Sequence, residues 1–118
     1  MKAKGLDQFK RGLLTLIVLK VISEGKSYGY EMMKRIDELS YGVFEMKAGT
    51  LYPILYRLED EQLIKSEWQH PEKKQRSKKY YNITEEGIER LALLIDTWHT
   101  VVSATDAILN SEVYGFEK

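Results

Sequence analysis

Twice along this chain the spacing of apolar residues changes, and those two changes fix the order of its elements. From Asp7 to Gln62 the apolar side chains recur at i, i+3, i+4 and i+7, the period of a helix. From Ile64 to Ile83 they alternate: Ile64, Ser66 and Trp68 interleave with Lys65, Glu67 and Gln69, the period of a strand. From Thr84 the helical spacing returns. A 118-residue chain with this pattern is one domain of ordinary size, mostly α, with a single β-hairpin between helices.

The helical part divides at its breakers. Asp7 to Ser23 carries Phe9, Leu13, Leu14, Leu16, Ile17, Val18, Val21 and Ile22 around most of its circumference, which predicts a helix in the middle of the core. Gly25 in "SEGKS" stops it. Ser27 is placed to cap a second helix, Tyr28 to Leu39, with Met32, Met33, Ile36 and Leu39 on its inner face. A third helix runs from Gly49 or Thr50 to Gln62. Pro53 fits only its first turn, so the helix starts close to Thr50 or is kinked. "HPEKKQRS" is the hairpin loop, Lys78 to Ile83 the return strand, and Thr84 the cap of a last helix reaching Asn110. Three helices followed by a two-stranded ribbon is the order of a winged helix-turn-helix. The expected division is a domain over residues 1–83 and a C-terminal helix over 84–118.

Formal charge is zero, but its distribution is not even. Residues 1–35 carry eight Lys/Arg against three Asp/Glu, and residues 63–83 carry six against two. The intervening and C-terminal blocks are acidic. A neutral chain can present a basic face if its two positive blocks meet in the fold. The absence of cysteine excludes disulfides, thiolate zinc sites and cysteine nucleophiles, and fits a reducing cytoplasm. The basic N-terminus before Leu13 to Ile22 imitates a signal peptide. Lys20 interrupts that run, no small-residue cleavage site follows, and it is shorter than the roughly 20 residues of a membrane span. A cytoplasmic chain with no membrane partner is expected.

Candidate chemistry gathers on the third helix and the hairpin. "TLYPILYRLEDEQLI" buries Leu51, Ile54, Leu55 and Leu58 and turns Thr50, Tyr52, Pro53, Tyr56 and Arg57 outward. A helix N-terminus favours anions, so hydroxyls there, with Lys47 and Arg57, suit docking on phosphate. The same residues are also compatible with a plain solvent face. "KKQRSKK" places Lys73, Lys74, Arg76, Lys78 and Lys79 within seven residues. Such a run is usually a solvated loop, but at the tip of a hairpin after a helix-turn-helix it can reach phosphate or the minor groove.

In the last helix Ile88, Leu91, Ile95, Trp98, Val102, Thr105 and Leu109 are spaced 3, 4, 3, 4, 3, 4, an a/d seam that predicts a homodimer. Trp98 on that seam is either a core residue or, paired across a two-fold axis, a slot for a flat ligand. His70 and His99 have no carboxylate partner at motif spacing, and neither a H-E-x-x-H, a G-x-G-x-x-G nor a P-loop pattern occurs. No catalytic residue, metal site or cofactor is expected. The rival to a DNA-binding protein is a winged-helix protein-interaction module whose acidic stretches are its working surface.

"SYGYEMMKRI", "GTLYPILYRLEDEQLI" and "KKYYNITEEGIERL", in this order, resemble the successive signatures of the PadR family of bacterial transcriptional regulators, over about residues 10 to 110. The single helix after the hairpin resembles its small subfamily. The resemblance implies a dimeric repressor, released from a two-fold symmetric DNA operator by a small aromatic or drug-like ligand. It implies that the segment from Ser27 begins the helix crossing the DNA backbone, with Tyr28 or Tyr30 on phosphate and the other against the third helix. Trp98 falls where multidrug-responsive members sandwich a planar ligand. Gln62 stands in place of the family's usual glycine at the turn into the hairpin, where it is expected to tighten that turn.

Overall fold

A computed structural model of the chain describes residues 6–70 and 76–112, with side chains from residue 13. The elements are α1 (Leu6–Ser23), β1 (Ser27–Tyr28), α2 (Gly29–Leu39), α3 (Ala48–Asp60), β2 (Ile64–Gln69), β3 (Lys78–Ile83) and α4 (Glu85–Leu109). This is the mostly helical winged helix that the change of period predicts.

Helix α1 lies at the centre, as its all-round apolar pattern requires. Val18, Leu19, Val21 and Ile22 are buried, and α2, α3, β3 and α4 all pack against the helix. Met32 and Ile36 from α2, and Leu51, Ile54, Leu55 and Leu58 from α3, complete one core with Leu63, Ile64 and Tyr81. Leu39, expected on the inner face of α2, is instead exposed beside the helix end.

The start of α2 corrects the sequence reading. Ser27 and Tyr28 form a short strand that pairs with Tyr81 and Tyr80, so the hairpin becomes a three-stranded antiparallel sheet in the order β1-β3-β2. Tyr28, not Ser27, is the N-cap residue of α2, and its N–H donates to the Glu31 carboxylate at 3.3 Å. The Ser27 hydroxyl is buried with no hydrogen-bond partner among the described residues. Sheet pairing wins over side-chain capping here because it satisfies backbone groups on both partners.

Helix α3 begins at Ala48 and takes Pro53 into its interior. The cost is one missing hydrogen bond, to the Gly49 carbonyl, on an exposed face where solvent can replace it. The helix ends at Asp60, two residues before the expected limit. There Gln62 N–H donates to Glu59 O and Leu63 N–H to Leu58 O, a Schellman turn. Gln62 occupies its left-handed position with φ 65°, where glycine is the residue without penalty.

That turn seats α4. Thr84 caps α4 as expected, accepting from Gly87 N–H at 3.0 Å. Its own hydroxyl donates to Gln62 O at 2.8 Å, and its N–H to Leu63 O at 3.0 Å. Gly87 lies so close to the turn that a Cβ there would stand 2.1 Å from the Leu63 carbonyl oxygen. The first turns of α4 therefore belong to the core through Gly87 and Leu91, while the remainder runs out along 25 residues, about 38 Å.

Candidate nucleic-acid interface

The N-terminal end of α3 is open. Lys47, Ala48, Gly49, Thr50 and Pro53 are exposed, and the first turn holds no acidic side chain to occupy the free N–H groups. One turn on, Tyr56 is 59% exposed. Tyr52 does not share this face. The Tyr52 ring is half-buried against the core, and its hydroxyl lies over Gly29, where a Cβ would stand 2.3 Å from Oη. Arg57 is exposed, and its Nη2 donates to Thr15 Oγ1 of α1 at 2.8 Å. Tyr52 was expected to point outward with Thr50. Tyr52 instead packs α3 against α2, and a Cβ at Gly29 would require its ring to shift.

The two tyrosines of "SYGY" separate as well. Tyr30 is exposed on the first turn of α2. Tyr28 packs edge-on against Tyr80 of β3, with centroids 5.3 Å apart, rather than against α3. Lys78 Nζ sits 4.4 Å over the Tyr28 ring, and Lys26 Nζ 5.5 Å over Tyr80. The β1–β3 pairing thus joins the two basic blocks of the sequence on one side of the sheet. Lys26 was not identified from the sequence; a two-residue strand leaves no periodic signal that would have shown its neighbours.

On the other face of the hairpin, Trp68 is exposed and stacks on His70 with centroids 6.5 Å apart. The His70 Nδ1 lies 2.6 Å from Ser77 Oγ. Arg76 and Lys78 are exposed, and Lys79 is half-buried. Lys73 and Lys74 lie outside the described residues. On this face Tyr81 is buried, and that burial, with Glu59 nearby, pushes its phenol up to about 12. Behind this face, Arg35 and Lys20 hold the Glu24 carboxyl below its usual range and tie α2 to the end of α1.

The seam of α4 is only partly available. Leu91 is 7% exposed within its own domain, and Ile95 packs half-buried against that core. Leu91 therefore leaves the expected dimer surface. Ile88, Trp98 and Leu109 are exposed, Thr105 is exposed and Val102 is half-buried. Val101 and Ile108, also exposed, widen the stripe to one side. Beside it, Leu16, Ile17, Val21, Ile36, Phe44 and Ile95 line an apolar groove of about 340 Å³. Among the described residues no helix is long and apolar enough to cross a membrane, and no cluster of acidic or histidine side chains could hold a metal ion.

An open helix N-terminus and a cationic wing on this fold suit a winged-helix, DNA-binding protein. Residues 18–93 match the Transcriptional regulator PadR-like family, and the chain belongs to it. It is 32% identical over 99 residues to an uncharacterized protein X of Lysinibacillus sphaericus, covering 84% of this chain and 90% of that one. It is 34% identical over 83 residues to the transcriptional regulator YqjI of Escherichia coli, covering 70% of this chain but 38% of that longer protein. Among solved structures, a PadR family transcriptional regulator from Eggerthella lenta superposes with a TM-score of 0.76 at 32% identity, covering 89% of this chain and 88% of that one. A transcriptional regulator from Clostridium thermocellum gives 0.77 at 32% identity, covering 84% and 95%.

Proposed function

We propose that this regulator is a homodimeric repressor that grips a two-fold symmetric operator and releases it when a planar aromatic ligand binds near Trp98. The observation that carries the reading is the outer half of α4. Trp98, Val101, Ile108 and Leu109 form an apolar stripe that its own domain leaves in solvent. A second copy can cover that stripe, and the adjacent groove beside Phe44 and Ile95 extends the apolar surface onto the domain.

On DNA, the N-terminal turn of α3 enters the major groove. Thr50, Pro53 and Tyr56 meet base edges or phosphate, and Lys47 and Tyr30 meet the flanking backbone. Arg76 and Lys78 place the wing on phosphate. Two copies hold their α3 helices about one DNA turn, roughly 34 Å, apart. Residues 84–118 carry the dimerisation arm: the first turns of α4 seat on the DNA-binding domain over 1–83 through Gly87 and Leu91, and the rest meets the second copy. A ligand between the two Trp98 rings is an inducer only if it favours a dimer with a different spacing, since equal affinity for both states shifts nothing.

The experiment is sedimentation and operator binding of wild type and Val102→Glu. Burying a charge twice across the axis should leave a monomer that has lost specific binding. A monomer with full operator affinity refutes the dimer. Planar dyes titrated into wild type and Trp98→Ala, with and without operator, test release: dye binding that survives the substitution refutes the ligand role.

A further inference from the structure

Glu59 is an acidic side chain at the junction of the two elements that face DNA. It lies in the last turn of α3, and its side chain reaches the hairpin. Its carboxylate is occupied from the wing. Ser66 Oγ donates to Oε2 at 2.5 Å, and Lys79 Nζ lies 4.0 Å from Oε1. The register explains why both reach it. Ser66 pairs with Tyr81 and Trp68 with Lys79, so these four side chains share the face of the hairpin that looks onto α3. Lys79 is drawn further inward by two rings, with Nζ 5.7 Å from the Tyr81 centroid and 6.0 Å from that of Trp68. It is half-buried where Arg76 and Lys78 are exposed.

A carboxylate that neutralises a wing cation lowers the affinity of the wing for phosphate. We infer that Glu59 is a specificity-determining residue of the DNA interface: it holds Lys79 back from phosphate and pins the wing to α3. The inference rests on the DNA-binding reading above. Its logic is a division of labour. Phosphate contacts raise affinity for every sequence alike, whereas a wing held at a fixed angle to α3 admits only DNA that satisfies both at once. Ser66 supplies the geometry and Lys79 the charge, and the two parts can be separated.

The test compares wild type, Glu59→Gln, Lys79→Gln and the double variant. The probes are the tightest duplex that wild type selects from a random pool and a scrambled duplex of the same composition. Glutamine keeps an acceptor for Ser66, so the single variant retains the fold; a matching melting curve confirms it. Releasing Lys79 should steepen the log–log salt dependence on the scrambled duplex by about 0.9, equivalent to three- to fourfold in affinity between 50 and 200 mM salt, in that sequence-independent term. The selected-to-scrambled affinity ratio should hold, because a phosphate contact raises both affinities alike and the Ser66 contact survives the change. In the Lys79→Gln background the Glu59→Gln change should leave the slope unmoved. Ser66→Ala, which loosens the wing without releasing the charge, should lower the ratio with no change in slope. Glu59→Gln with unaltered slope, or Ser66→Ala with unaltered ratio, overturns the inference alone. Wild type that binds neither duplex overturns the DNA-binding reading and the inference with it.

Discussion

Gly87→Ala sets two effects against each other, and the structure says which wins. In a helix, Ala is favoured over Gly by up to about 1 kcal/mol, so propensity alone predicts a more stable protein. Gly87, however, is buried in the first turn of α4, and a Cβ there would stand 2.1 Å from the Leu63 carbonyl oxygen and 2.6 Å from Ile83 Cγ1. The first of these is backbone and cannot rotate away. Helix and turn must separate by about 1 Å or more to reach ordinary contact, which strains the hydrogen bonds from Thr84 to Leu63 O and Gln62 O. Each is worth about 1 kcal/mol net, and overpacking among Leu63, Ile83 and Leu91 adds about 1–3 kcal/mol. Subtracting the propensity gain leaves a loss of about 2–4 kcal/mol, on the order of 10 °C in melting temperature for a chain of this size. Urea unfolding followed by circular dichroism, at one fixed protein concentration, measures it. Gly49→Ala is the control, because nothing lies within 4 Å of that position, and it should gain a few tenths of a kcal/mol. Gly87→Ala as stable as wild type would refute the close seating of α4 on the α3–β2 turn.

Gln62→Gly should stabilise the chain by about 1 kcal/mol, since φ 65° strains any residue with a Cβ; a less stable variant in the same urea assay would contradict this. Tyr52→Ala should cost about 3 kcal/mol of stability, because its ring packs against the core over Gly29, whereas Tyr56→Ala should leave unfolding nearly unchanged and weaken operator binding in a mobility-shift titration. Tyr81 holds its proton more tightly folded, at about 12, than unfolded, near 10. The neutral phenol is favoured by the fold, so its contribution is intact below pH 10 and is lost as pH rises from 10 to 12. Urea midpoints across that range should fall less steeply for Tyr81→Phe than for wild type.

Much of this protein is written locally. The change of apolar period at Gln62 and again at Thr84 is enough to order three helices, a hairpin and a fourth helix, because each period matches one backbone geometry. The buried stripe Leu51, Ile54, Leu55 and Leu58 and the Thr84 cap follow in the same way, as does the exposed cationic hairpin at Arg76 and Lys78. What the periods leave open is any choice between partners distant in the chain. Tyr52 and Tyr56 have the same chemistry and adjacent turns, yet one packs over Gly29 and the other meets solvent. Arg57 has the composition of a phosphate ligand and is bound to Thr15, 42 residues away. Leu91 keeps perfect seam spacing and is consumed by its own core, because the turn at Leu63 fixes how far α4 lies on the domain before it leaves. A side chain's period says which face of its own element it occupies; only the packing of elements against one another decides whether that face meets core, partner or water.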